Sequence, residues 1–337
     1  MKRVNIVLLA AAACLVQAQA ADKIRIVTTT SDLADIARQV AGDTAEVSSI
    51  TTGREDPHTL TAKPSFIVRA RDADVWIRIG MELEIGWEPV ILRESRNGRI
   101  RVGAPHHIDA SLNVLRLEVP TQRVTRDLGD VHPEGNPHYW LDPLNGRLVA
   151  GTIAERLSTL YPDKKEIFAK NLHAFERALD EHMFGAAWVA ACGGDALWKA
   201  LLDKRLDAFA AEKGVTGKAG GWYAAMCPYR GKTIVTYHRS WSYFAERFGL
   251  KADIQLEPKP GIPPSAKHLA EVIEDIQSSG AKTILQEPFY PQKAADFVAS
   301  KTGVKVVIAP TMTGGSSEAS TYLGVFDNVV AKLNGAL

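Results

Sequence analysis

The stretch Asp163–Ala187, DKKEIFAKNLHAFERALDEHMFGAA, decides how the rest of the chain is read. Phe168, Leu172, Phe175, Leu179 and Met183 recur at spacings of four, three, four and four, with charged residues elsewhere. That periodicity predicts one long amphipathic helix. Upstream, short β-branched runs alternate with amphipathic stretches: Ile24–Thr29, Ser31–Val40, Glu46–Ile50, Lys63–Ala70, Val75–Ile79, Glu84–Leu92 and Ile100–Val102. Downstream the same grammar returns in Thr233–Thr236, Trp241–Phe248, Ser265–Ser278, Thr283–Gln286, Pro291–Thr302, Val304–Ile308 and Glu318–Leu333. Strand alternating with helix predicts a parallel sheet. The fold class is therefore α/β, with two lobes joined by a spine helix. The expected boundaries are 1–20 for an export leader, 21–160 for the first lobe, 161–190 for the spine, 191–229 for a helical insertion with a Gly-rich loop, and 230–337 for the second lobe.

Lys2 and Arg3, an apolar run from Val4 to Val16 and then Ala18-Gln19-Ala20 read as a cleavable export signal. The run is shorter than the ~20 residues a membrane span needs. Cys14, after a run of alanines, offers lipid anchoring as the alternative to cleavage. The expected location is the periplasm. Cleavage would remove Lys2 and Arg3 and no acid, turning 40 basic against 39 acidic residues into a net charge near −1. Nothing in that balance calls for nucleic acid or anionic lipid as a partner. Cys192 and Cys227 then remain, and in an oxidising compartment the pair is expected to form a disulfide, two buried free thiols being the alternative. Roughly 315 mature residues exceed what one core usually serves, in keeping with two lobes.

Nine histidines are the main chemical resource. In a parallel α/β lobe, ligands collect at the carboxyl ends of strands, and three histidines fall there. His58 sits in Asp56-Pro57-His58, between a strand and the helix opened by Pro64; His138 follows Asn136-Pro137 at the end of the long polar stretch Pro105–Pro137; His238 directly follows the strand Thr233–Thr236. Neutral imidazoles suit Zn²⁺ and also Mn²⁺, Fe²⁺ or Ni²⁺. Separations of 80 and 100 residues mean a site assembled by folding rather than a local finger. Each histidine alone reads as an ordinary hydrogen-bonding loop residue. His106-His107 is expected to face solvent, and Trp140, Trp241 and Tyr243 to be core or cleft wall. Asp142 either accepts a proton from a ligand imidazole or caps the helix after Pro143. The chain contains no His-Glu-x-x-His, Gly-x-Ser-x-Gly or phosphate-binding glycine loop.

Five ordered segments carry a likeness: Asp56-Pro57-His58 with Lys63-Pro64-Ser65; Gly135-Asn136-Pro137-His138-Tyr139-Trp140-Leu141-Asp142-Pro143; Tyr237-His238 through Phe244 and Gly249; Glu257-Pro258 through Pro264-Ser265; and Leu285-Gln286-Glu287-Pro288. Together they resemble the metal-binding solute-binding proteins of bacterial zinc and manganese ABC importers, over nearly the whole mature chain. The resemblance implies two α/β lobes on a long helix with the metal between them, His58, His138 and His238 as ligands, a membrane permease as partner and no enzymatic activity. Histidine at the third position resembles zinc-associated members; manganese-associated members often place Glu there. The segment after the last strand departs from the pattern. Val307-Ile308-Ala309-Pro310-Thr311-Met312 holds no carboxylate where members commonly carry Asp. Glu287, His132 or water is left for the fourth position.

The reading is thus capture of a divalent metal, Zn²⁺ foremost and Mn²⁺ or Fe²⁺ as alternatives, by a monomer that hands it to an importer, with a metallochaperone as a further partner. The rival is a periplasmic zinc hydrolase with Glu287 as general base.

Overall fold

The computed structural model describes residues 23–122 and 131–337, so the leader read at residues 1–20 and Cys14 lie outside the described residues. In the first lobe β1 (Ile24–Thr28) leads to α1 (Ser31–Ala41), β2 (Ala45–Ser49), α2 (Pro64–Asp72), β3 (Val75–Arg78), α3 (Glu88–Ser95) and β4 (His107–Asp109). The sheet order is β2-β1-β3-β4, and every pairing is parallel, with Ile26 opposite both Val47 and Val75. The order reverses between β1 and β3, and the loops at the carboxyl ends of such strands form a ligand crevice.

Two expectations shift here. The helix expected from Glu84 starts at Glu88, because Met81 and Glu82 take positive φ and the Glu84 carboxylate accepts hydrogen bonds from the Ile79 and Gly80 amides at 2.7 and 3.1 Å. The strand expected at Ile100–Val102 is a turn whose Ile100 is buried beside Trp76 and Trp87. The fourth strand forms later, at His107–Asp109, where three residues on a sheet edge are too few to display an alternating pattern. His107 does not face solvent. It is buried, with Nε2 at 3.3 Å from Glu88 Oε1.

The connection between lobes is made by α4 (Pro143–Leu160) and α5 (Lys165–Phe184), which pack on each other. Phe168, Phe175, Leu179 and Met183 form the buried stripe of α5, as their spacing demands. The helix stops at Phe184, short of Ala187, because Gly185 turns the chain at φ +84°. A side chain there would also meet Gly220 Cα at 2.7 Å, and the Gly220 amide donates to Phe184 O. Four short helices follow: α6 (Ala186–Cys192), α7 (Gly194–Leu202), α8 (Leu206–Glu212) and α9 (Gly221–Met226). α5 packs against α1 of the first lobe and against α9.

Cys192 and Cys227 are both free thiols, which corrects the expected bridge. Cys192 ends α6 and packs on the main core; Cys227 follows α9 and faces a separate cavity lined by Trp188 and Tyr223. A disulfide requires Cβ atoms about 3.8 Å apart. Cysteine count and compartment cannot supply that tertiary condition.

The second lobe runs β5 (Thr233–Thr236), α10 (Ser242–Phe248), β6 (Lys251–Gln255), α11 (Ala266–Ser279), β7 (Thr283–Gln286), α12 (Lys293–Thr302), β8 (Lys305–Ile308) and α13 (Tyr322–Asn334). Its order, β6-β5-β7-β8, repeats that of the first sheet, again all parallel. β6 carries no sequence signal because it is an edge strand with no fully buried residue. A continuous apolar cluster joins both lobes, from Ile26 and Ile77 through Leu179 and Met183 to Ile234, Leu285 and Phe326.

Hydrogen bonds cross the same boundary. The Thr313 amide and hydroxyl donate to Asp32 Oδ1 at 2.9 and 3.0 Å, and the Tyr322 amide donates to Asp35 at 2.8 Å. Burial pushes the Asp32 carboxyl up to about 7, against the Thr313 hydrogen bonds. Between pH 4 and 7 the folded chain therefore keeps a proton that the unfolded chain has lost, and this group's stabilising contribution falls as pH rises through that window. Asp32→Asn should flatten the decline, removing a difference on the order of a few kcal/mol, as read by urea unfolding at pH 4.5 and 7.5. An unchanged difference between the two pH values would contradict the assignment.

Candidate metal centre

Three loops at the carboxyl ends of the sheets bring His58, His138 and His238 together. Their ring centroids form a nearly equilateral triangle, 5.1 Å from His58 to His138, 5.2 Å from His138 to His238 and 5.5 Å from His58 to His238. One donor nitrogen of each lies within 4.8 Å of the others, the single such group of His, Cys, Asp or Glu among the described residues. Donors around a tetrahedral Zn²⁺ stand about 3.3 Å apart when Zn–N is about 2.0–2.1 Å. His58 Nε2 and His138 Nε2 are already 3.1 Å apart.

Local chain chemistry explains how two of the rings are aimed. Asp56-Pro57-His58 and Asn136-Pro137-His138 are the same turn: in each, the first side chain accepts the histidine amide two residues on, at 2.9 Å. Proline restricts the middle residue and the turn presents the imidazole. This shared Asp/Asn-Pro-His pattern was visible in the sequence, and it was the signal that could have exposed Asn136. His138 Nδ1 lies 2.8 Å from Asn136 Oδ1. That oxygen also accepts the His138 amide, while Asn136 Nδ2 donates to Arg239 O at 2.8 Å, which settles the orientation of the amide. His138 Nδ1 must then carry the proton, and Nε2 offers its lone pair. His238 Nδ1 donates to the buried Glu257 carboxylate at 2.8 Å, with the same result. Burial, then the neighbouring His58, His238 and His132 rings, hold His138 well below the usual imidazole range. It is neutral at pH 7, the form a metal requires.

The other candidates fall elsewhere. Glu287 is fully buried but outside the imidazole group. Burial pushes its carboxyl up to about 8, and the Glu257 and Asp56 charges add to that, although the nearby Ser240 hydroxyl opposes it. His132 also lies outside that group, but it is buried with its ring 5.2 Å from His58, and it lines the same cavity of about 270 Å³ as His138, His238 and Glu257. Asp142 takes no proton from an imidazole. It caps α4 through Leu144 N at 2.9 Å and pairs with Arg247. Trp140, Trp241 and Tyr243 are buried, Trp140 5.2 Å from the His138 ring. In the segment lacking the expected carboxylate, Thr311 O accepts the Trp140 indole proton at 2.7 Å, so that stretch joins the lobes.

Three imidazole nitrogens converging in one cleft can coordinate a borderline divalent cation, and the Glu257 carboxylate behind His238 partly balances its charge. Glu257→Gln keeps the volume and removes the charge. Affinity for Zn²⁺, measured by competition with a chromophoric chelator, should fall about tenfold; an unchanged affinity would dismiss the carboxylate's role.

The family model described as "ZnuA: Zinc-uptake complex component A periplasmic" matches residues 26–183 and 202–336. The zinc-binding lipoprotein AdcA of Streptococcus pneumoniae is 28% identical over 296 residues, covering 87% of this chain; the chain spans about half of that relative, 51% of its length. The manganese ABC transporter substrate-binding lipoprotein PsaA of Streptococcus mitis is 26% identical over 315 residues, covering 88% of each chain. Among solved structures, a crystal structure of ZnuA superposes with a TM-score of 0.69 at 21% identity, over 94% of this chain and 99% of that one. A Mn-bound periplasmic metal-binding protein from Candidatus Liberibacter asiaticus superposes at 0.65 with 18% identity, over 93% of this chain and 99% of that one. These structural likenesses establish the two-lobed fold.

Proposed function

The chain belongs to the family of the periplasmic zinc-uptake complex component A, and from that premise we propose that it captures a divalent transition metal, zinc foremost, between its lobes and delivers it to the membrane permease of an ABC importer. The observation that carries this reading is the triangle of His58, His138 and His238, contributed by both lobes and seated at the carboxyl ends of both sheets. Ligand donors from two lobes let the cation hold the cleft closed, so that a permease can distinguish the loaded from the empty protein by shape. Capture takes place in the periplasm, after export directed by residues 1–20, and a metallochaperone is a fitting supplier.

Zinc is favoured over manganese by donor chemistry. Imidazole nitrogen suits Zn²⁺, whereas Mn²⁺ is better served by carboxylate and water oxygen. No carboxylate belongs to the group found among the described residues. His132, whose ring stands beside His58, is better placed than Glu287 for the fourth position, with water as the other occupant. Glu287 lies outside the imidazole group, away from where a metal-held water would sit, which speaks against the hydrolase reading.

Isothermal titration of the metal-free protein should show one tight Zn²⁺ site, weakened at least a hundredfold by His58→Ala, His138→Ala or His238→Ala. Unchanged affinity in all three would overturn the proposal. For the fourth position, Co²⁺ absorption should change in band position or intensity in His132→Ala and stay constant in Glu287→Gln; the reverse pattern would reassign the ligand to Glu287.

A further inference from the structure

Asn136 uses every hydrogen-bonding capacity of its side chain, and it does so on both sides of the cleft. Its Oδ1 accepts from His138 N at 2.9 Å and His138 Nδ1 at 2.8 Å; its Nδ2 donates to Arg239 O at 2.8 Å and to Glu118 Oε2 at 3.2 Å. A primary amide has two donor hydrogens and two acceptor lone pairs, so none is left over. Its backbone is equally engaged. The amide donates to Leu117 O at 2.9 Å, and the carbonyl accepts from Tyr243 OH at 2.8 Å, while that same hydroxyl accepts from Leu117 N at 2.9 Å. Asn136 is buried, as is Tyr243.

Two of these partners belong to the second lobe. Arg239 directly follows His238, and Tyr243 stands on α10. One side chain thereby sets the tautomer of His138 and anchors the segment that carries His238. His58 reaches the site from the loop after β2, whereas the four side-chain hydrogen bonds of Asn136 run to His138, Arg239 and Glu118.

We propose that Asn136 is the positioning residue of the site, joining His138 and His238 into a preassembled half-site to which His58 is added. The inference rests on the three-imidazole reading and deepens it. Aspartate at this position would keep the acceptor for both His138 groups while losing both Nδ2 donations, which separates the two functions of the amide. Alanine removes both.

Long-range ¹⁵N–¹H spectra of the metal-free full chain report the tautomer, which a merely structural residue would leave unmoved. His138 should appear with the proton on Nδ1 in the native protein and in Asn136→Asp, and as a mixture of tautomers in Asn136→Ala. Zn²⁺ affinity should fall roughly 10–100-fold in Asn136→Ala, with Asn136→Asp retaining affinity between that of Asn136→Ala and the native chain. If Asn136→Ala keeps the Nδ1–H tautomer and binds Zn²⁺ within twofold of the native protein, the inference is wrong. Should Asn136→Ala fail to fold, Asn136→Asp decides: loss of its Nδ1–H tautomer overturns the inference, and retention supports it. The outcome is separable from the site reading itself, since unchanged Zn²⁺ affinity in His58→Ala, His138→Ala and His238→Ala alike would remove that reading whatever Asn136 does.

Discussion

The Arg247 guanidinium, carried on α10 of the second lobe, lies largely buried against the Asp142 carboxylate through two hydrogen bonds of 2.7 Å. Asp142 also caps α4, which begins five residues after His138. A buried pair of this kind adds little net stability, because desolvation offsets the attraction, but losing one partner leaves an uncompensated charge. What the pair fixes is register. It holds the end of the His138 segment against the helix that follows His238. Tyr322 OH donates to Trp140 O at 2.7 Å and the Trp140 indole donates to Thr311 O, so residues 136–142 are tied to the second lobe along their length.

That constraint explains why three imidazoles can meet at all. Burying the His138 and His238 rings without partners would cost on the order of several kcal/mol for their polar atoms. His138 and His238 each satisfy Nδ1 with a fixed acceptor, one neutral and one anionic. Their Nε2 atoms remain as the open valence of the cleft. The difference between the acceptors distributes charge unevenly around the triangle, with Glu257 placing a negative charge directly behind His238 and Asn136 placing none behind His138.

Much of the fold was legible because its signals are local. The stripe of α5, the strand–helix alternation and the opening of α2 by Pro64 each lie within a few residues of chain. Elements that depend on neighbours were read poorly. β4 is three residues long, β6 is an exposed edge, and the start of α3 is displaced by a Glu84 cap on the preceding loop. The disulfide failed for a related reason: two cysteines in one compartment say nothing of whether their Cβ atoms approach.

The sequence by itself determined the chemistry available: imidazoles in loops after strands, no nucleophile motif, and a repeated Asp/Asn-Pro-His turn that presents two of them. Those properties follow from residue type and short-range spacing. Only the tertiary structure decided which imidazoles converge, that Glu287 stands apart in a buried, proton-holding environment, and that Asn136 and Glu257 aim the rings. The physical reason is separation: a contact between residues 80 or 100 positions apart is set by how two lobes are docked, and no window of sequence contains that information.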